Sequence, residues 1–498
     1  MGDLLFGLSI ALRPENFVFG VVGCIIGTMV GVLPGIGPLA AVSLLLPGTF
    51  GLDAIRAIIL LGGIYYGAMY GGSITSILMR IPGEAASVVT CIDGYAMAQK
   101  GRAGPALVIA AVGSFIAGSI AVVGLTLLAP PIARFALRFG PPEYAALLTF
   151  GLVVIGYMSG RSILSSLSMV AMGLLLGMVG TDIHGYLRYT FNMAELGDGI
   201  DVVPVAVGLF GLAEILHTAG QKTPPRVFAP RLRDLPPSKE EWRDSIGPIW
   251  RGTVIGFLVG MVPGPAHIIG SFASYAVERR LSKHPERFGH GAIEGVAGPE
   301  AANNSAAEAT FAPMLALGVP SNAIMAIMMS AMMIHGVSPG PTLITHHADI
   351  FWGFIASIYI GNVILLILNV PLVSLFVNLL RVPYPILYPM IVAFCILGVY
   401  AVNGSVFDVY IMMLTGIVGY LFKKADFSPA PIVIGLVLSP MVEMSMRQSL
   451  ILSDGSYMIF FQRPIAAVMI IMAAALLSFS VIQYVRKGKI RAGAERDG

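Results

Sequence analysis

The chain has 498 residues, 56% of them hydrophobic and 11% charged, with a formal net charge of +3 and a mean hydropathy of +0.84. These proportions lie far from soluble averages and define a polytopic integral membrane protein, in which the small positive balance gives no case for nucleic-acid binding. No G-x-x-x-x-G-K-[ST], G-x-S-x-G or H-E-x-x-H run occurs, so the sequence supplies no basis for ATP hydrolysis or for the commoner hydrolytic chemistries, and a non-enzyme is expected.

Taken in chain order, Met1–Phe19 holds Asp3, Arg13, Pro14 and Glu15 without a small-residue cleavage pattern after an apolar core, so no removable signal peptide is expected. GTMVGVLPGIGP then sets Gly27, Gly31, Pro34 and Gly35 in the pattern G-x-x-x-G-x-x-P-G, and GFLVGMVPGPAH repeats it with Gly256, Gly260, Pro263 and Gly264. A Pro-Gly pair removes a backbone donor and a helix-stabilising side chain where no water can compensate. Two such breaks at matching places in two halves point to a binding site between transporter repeats, although G-x-x-x-G also eases plain helix packing.

After the first break, Tyr65, Tyr66 and Tyr70 precede Gly71-Gly72 and are expected to pack, or else to wall a cavity or anchor at an interface. A polar cluster of Ser73, Thr75 and Ser76 leads into Pro82-Gly83-Glu84. Its counterpart is Asn303, Asn304 and Ser305 before Pro320-Ser321-Asn322. Asn pairs in an apolar stretch are costly unless satisfied. Residues 103–133, 351–380 and 464–485 are charge-free and long enough to cross a bilayer. Cys24, Cys91 and Cys395 are isolated and read as small buried apolar side chains.

The repeat extends beyond the breaks. LMRIPGEAAS aligns with LALGVPSNAI, MAQKGRAGPAL with MMIHGVSPGPTL, RFGPPEYAALLTFGLVVIGYMSG with LRVPYPILYPMIVAFCILGVYAVNG, and PVAVGLFGLAE with PIVIGLVLSPMVE. Blocks kept in the same order indicate duplication: a membrane repeat over 15–220, a cytoplasmic linker over 221–247, a second repeat over 248–455 and a C-terminal transmembrane helix over 464–485. The linker carries Pro224-Pro225, Pro230, Pro236-Pro237 and a run of Lys/Arg, and Arg486–Arg496 is basic again; both read as cytoplasmic. The acidic stretch Asp182–Asp201 reads as external. About twelve transmembrane segments are expected.

The second break is flanked by Arg243 and Arg251 before it and by Arg279, Arg280 and Lys283 after it. A hairpin dipping into the membrane would put both flanks on the cytoplasmic side and make the repeats inverted; one kinked spanning helix is the alternative. The expected fold class is therefore an all-α polytopic membrane protein with two homologous, inverted repeats containing broken or re-entrant helices.

GVLPGIGP, YGGSITSILMRIPGEAASVVTCIDGYAMAQKGRAGPAL, GPEAANNSAAEATFAPMLALGVP and the intervening SYAVERRLSK resemble the TctA family, the large membrane subunit of tripartite tricarboxylate transporters, over roughly residues 15–455. The resemblance implies secondary uptake of small organic carboxylates (tricarboxylate or dicarboxylate) in a bacterial inner membrane, driven by a sodium ion or proton as coupling ion. It further implies two partners, a small membrane subunit and an extracytoplasmic substrate-binding protein. Gly37 follows the family's pattern, whereas Pro265, Ala266 and His267 replace it in the second copy and IPGE becomes VPSN, which makes substrate identity less transferable.

A carboxylate crossing a membrane must exchange its water shell for fixed donors, and opened helix ends supply them. Pro34, Gly35, Gly37, Pro263 and Gly264, with Ser73, Pro82, Gly83, Asn303, Asn304, Ser321 and Asn322, are the candidate substrate-binding residues. Thr75, Ser76, Asn303 and Asn304 are the candidate ion ligands. Glu84, Glu143, Glu214, Glu300, Glu308 and Glu443 could bind cations or carry protons. Of these, Glu300 and Glu308 share a helical face with the Asn pair, while Glu214 and Glu443 read as solvated. His346-His347 reads as exposed, His267 could sense pH beside its break, and Met325, Met328, Met329, Met332 and Met333 form a packing stripe. A passive anion channel or a non-transporting membrane assembly subunit is the alternative reading; a channel would need a ring-forming filter sequence instead of paired internal breaks.

Overall fold

The computed structural model describes residues 2–33, 37–158, 163–182, 185–218, 232–379 and 384–494. The first helices are α1 (Gly2–Ala11), α2 (Pro14–Val32), α3 (Gly37–Leu45), α4 (Ala54–Met79), α5 (Thr90–Gln99) and α6 (Ala103–Ala136). Next come α7 (Pro141–Met158), α8 (Ile163–Gly177), the strands β1 (Gly180–Thr181) and β2 (Leu187–Arg188), α9 (Val202–Ala206) and α10 (Ala213–Thr218). The second half holds α11 (Lys239–Gly260), α12 (Ala266–Leu281), α13 (Glu294–Ala309), α14 (Phe311–Leu317), α15 (Ala323–Ile334), α16 (Leu343–His346) and α17 (Ala348–Asn369). The chain ends with α18 (Val373–Leu379), α19 (Tyr384–Asn403), α20 (Val406–Lys424), α21 (Ala430–Leu452), α22 (Ile459–Gln462) and α23 (Pro464–Ala494). The architecture is all-helical: among the described residues, β1 and β2 are the only strands, and they pair antiparallel. Seven described helices, α2, α4, α6, α7, α17, α20 and α21, are long and apolar enough to cross a membrane, and shorter apolar helices accompany them.

Two compact units divide the chain, one of residues 1–136 and 201–424, the other of 137–200 and 425–498. Each takes segments from both sequence halves. The first unit is built around α4, whose apolar window is 94% buried, against 28% for α20 at its margin. Small residues let the helices touch backbone to backbone. A Cβ placed on Gly27 or Gly31 of α2 would collide with the carbonyls of Ile64 and Ala68 on α4, and one on Gly71 of α4 would strike that of Thr28. The second half repeats the device: Gly252, Gly256 and Gly260 of α11 lie against Gly298, Ala302 and Ala306 of α13. Ser305 locks the pair by donating to the Thr253 carbonyl at 2.8 Å. The G-x-x-x-G part of each motif is thus a packing seam.

α11 and α12 form a hairpin. Arg251 donates from Nε and Nη2 to the two carboxylate oxygens of Glu278, at 2.8 and 2.5 Å. In one continuous helix these residues would stand about 40 Å apart at about 1.5 Å per residue, so a single kinked helix is excluded. α11 begins at Lys239, inside the stretch read as linker, because Ser238 and Glu241 form a reciprocal capping box. Ile246, Trp250, Val254, Leu258 and Val262 remain exposed in steps of four, an apolar stripe along the outer face of the hairpin. Tyr65, Tyr66, Tyr70 and Met325, Met328, Met329 and Met332 are buried, as are the three cysteines.

In the second unit, Gly173 and Gly177 of α8 abut Ile432, Leu436 and Ser439 of α21, and Gly435 of α21 answers Val170. Glu443 accepts both Arg188 nitrogens, at 2.8 and 3.0 Å, and pairs with Arg447 at 2.8 Å. In the first unit Glu214 pairs with Lys423. Both glutamates stay partly exposed at span ends, and each is ion-paired there.

Candidate functional site

The first unit encloses a buried network of acids and amides. Glu300 on α13 accepts from Ser73 of α4 at 2.5 Å and from Thr90 at the start of α5, so each carboxylate oxygen has one hydroxyl donor. One turn on, Asn303 donates to Glu84 at 2.9 Å, and the Ala86 N–H donates to the other Glu84 oxygen at 2.9 Å. Asn304 donates to Ser114 of α6 at 2.7 Å and to the Glu300 carbonyl at 3.1 Å. A turn further, Glu308 accepts from Asn362 of α17 at 2.8 Å, and Asn362 accepts from Tyr70 at 3.3 Å. The spacing 300, 303, 304, 308 puts all four on one face of α13, and all are 1% exposed or less. Burial without solvent demands partners, yet Asn303 Oδ1 and Glu308 Oε2 have none.

Gly37, which opens α3, and Gly264 of the second Pro-Gly pair each lie against the second break of their own half. Gly37, at φ +61°, opens α3 beside the carbonyl of Gly83, which a Cβ on Gly37 would approach to 3.8 Å. Gly83 is wedged among Gly72, Gly31 and Thr75 with no room for a side chain. In the other half the Gly264 N–H donates to the Ser321 carbonyl at 2.7 Å, with φ +140° at Gly264 explaining the glycine. Ser321 donates in turn to the Thr310 carbonyl at 3.0 Å. Asn322 caps α15 by accepting from the Met325 N–H at 3.0 Å, and its Nδ2 is buried without a partner.

The sequence-derived candidates therefore fall into two groups. Ser73, Thr75, Ser76, Pro82, Gly83, Asn303 and Asn304 gather around Glu84 and Glu300; Thr75 and Ser76 donate to the Gly72 carbonyl at 3.1 and 2.8 Å. Pro263, Gly264, Ser321 and Asn322 form the second group, and α3, opened by Gly37, packs against α15. Pro34 and Gly35 lie outside the described residues, as do residues 221–231 of the 221–247 linker. His267 Nδ1 is buried without a partner. Sequence reasoning missed Thr90, Ser114, Asn362 and Asn369, single polar residues in apolar helices that look like ordinary helix back-bonders. It also missed Asp93, fully buried on α5, which accepts the N–H groups of Gly289, Gly291 and Ala292 at 2.7–2.9 Å and the Tyr275 hydroxyl at 2.9 Å.

An all-helical multi-pass chain whose helix breaks border buried carboxylates and amides defines a membrane transport protein. The chain belongs to the tripartite tricarboxylate transporter TctA family, the large subunit of these systems, whose model matches residues 17–434. It is 47% identical over 498 residues, 100% of this chain and 99% of the relative, to an uncharacterized 52.8 kDa protein in the TAR-I ttuC' 3' region of Agrobacterium vitis. A second Agrobacterium vitis protein, in the TAR-II ttuC' 3' region, is 44% identical over 242 residues, 49% of this chain and 100% of its own length. No solved structure matches.

Proposed function

We propose that this subunit imports small organic carboxylates, tricarboxylates or dicarboxylates, by secondary active transport across a bacterial inner membrane, coupled to a sodium ion or proton. It works with a small membrane subunit and an extracytoplasmic substrate-binding protein. The observation that carries the reading is the buried group of Glu84, Asn303 and Glu300 beside the helix break at Pro82-Gly83, because such groups are retained in an apolar interior when they handle a charged cargo. The acidic group, with Asn303 Oδ1, Thr75 and Ser76 as further oxygens, suits a cation. The second group suits an anion: Asn322 Nδ2 is buried without a partner at the start of α15, Gly37 opens α3, which packs against α15, and Pro263-Gly264 precede the start of α12. Matched seams, matched breaks and the α11–α12 hairpin support inverted repeats, about twelve crossings and alternating access.

Reconstitution with the small subunit and the binding protein, scanning di- and tricarboxylates under sodium and proton gradients, tests this. Accumulation that collapses with the ion gradient is expected. Uptake indifferent to every gradient would instead identify a passive anion channel, and no uptake of any carboxylate a non-transporting assembly subunit.

A further inference from the structure

Beside the network lies a small cleft whose polar lining is Tyr70 and Ser73 of α4, Ser114 of α6 and Asn369 at the end of α17, the remaining wall being apolar side chains of α4 and α6. Several of the lining's donors are directed elsewhere. Ser73 donates to Glu300 at 2.5 Å, Tyr70 to Asn362 at 3.3 Å, and the Asn369 amide nitrogen to its own helix at Leu365, 2.9 Å away. Ser114 already accepts the Asn304 amide. What the lining has left over is chiefly oxygen lone pairs, and Asn369 Oδ1, on a residue 3% exposed, has no partner at all.

We propose that this cleft binds one dehydrated alkali cation through the oxygens of Tyr70, Ser73, Ser114 and Asn369. Its negative charge comes from Glu300, one hydrogen bond away through Ser73. A carboxylate is excluded here because it would face lone pairs and a neighbouring carboxylate. A divalent ion would call for several carboxylates, and among the described residues no three His, Cys, Asp or Glu side chains are grouped to hold a metal. The cleft adjoins the group of Asn303, Thr75 and Ser76 and shares Ser73 and Glu300 with it, but adds Tyr70, Ser114 and Asn369 as ligands. Ion binding here stands by itself; only its part in coupling rests on the transport reading.

The test is thermal unfolding of the purified full chain as choline chloride is replaced by sodium, potassium or lithium chloride at constant ionic strength. A saturable rise in midpoint with at least one alkali ion is expected. Asn369→Ala and Ser114→Ala should each weaken the half-saturating concentration by about tenfold, as loss of one ligand to a charge implies. Asn369→Asp should keep or tighten it, and Ser357→Ala, elsewhere on α17, should leave it unchanged. A midpoint indifferent to all three ions, as a cleft holding only water would give, overturns the proposal, as does an ion response retained in both alanine variants. Carboxylate uptake by the reconstituted complex is scored separately. Uptake without the ion response sinks the cleft alone, and the ion response without uptake sinks the transport reading alone.

Discussion

Asn303 donates its amide to Glu84 and keeps its oxygen unpaired, although both ends are buried. Asn303→Ala removes one of the donors to the Glu84 carboxylate and should cost about 1–3 kcal/mol. Asn303→Asp sets a further carboxylate against Glu84 and should cost more. Chemical denaturation of the two purified variants checks the order, and an aspartate variant as stable as the alanine one would disprove repulsion at this point. Asp93 offers a second test: Asp93→Ala strands three backbone N–H groups and a tyrosine hydroxyl, and should cost about 3 kcal/mol or more. Asp93→Asn, which keeps an acceptor oxygen, should fall between it and the parent chain. The Asn pair was legible because amides in an apolar run need a reason. Its partner was not, because Glu84 is 219 positions away and nothing local encodes a contact of that range. Asp93 left no trace because its main partners are main-chain N–H groups, which have no sequence signature.

At the scale of helices, the glycine seams are the testable feature. Gly27 and Gly256 occupy corresponding places in the two motifs, and a Cβ on either would meet the backbone of the facing helix rather than a yielding side chain. Gly27→Val and Gly256→Val should therefore each lose most of the monodisperse protein recovered by size-exclusion chromatography. Gly51→Ala, where a Cβ meets open space, should stay within about 0.5 kcal/mol of the parent. Equal recovery of all three would show that the α2–α4 and α11–α13 seams tolerate separation. The motif itself was plain in the sequence, but the facing helix was not, since α4 and α13 present glycine and alanine at spacings common throughout this chain. The extent of α11 was misjudged for a related reason: its charged first turns look like a loop until Ser238 and Glu241 are read as a cap.

For the whole molecule, the sequence halves and the compact units are different partitions, because residues 137–200 of the first half and 425–498 of the second belong to one unit. The duplication read in the sequence rests on the order of blocks along the chain, whereas the division into units is set by which helices pack, which one dimension does not show. The orientation of the α11–α12 hairpin is where the two meet. Its ends are tied by Arg251 and Glu278, its outer face carries the exposed apolar stripe from Ile246 to Val262, and its flanks hold Arg243, Arg279, Arg280 and Lys283. Lys and Arg gather on the cytoplasmic side of membrane proteins, so a tip carrying Pro263-Gly264 that enters the bilayer from that side leaves both flanks behind. Arg243 and Lys283 are exposed, and Cys24, Cys91 and Cys395 are buried, so single cysteines at 243 and 283 can be read against a low background. Arg243→Cys and Lys283→Cys should both react with a membrane-impermeant maleimide in inside-out vesicles, and neither should react in right-side-out vesicles. Labelling of the two from opposite faces would require the chain to cross between them, and the hairpin could not then be a re-entrant element presenting its broken tip to a cargo.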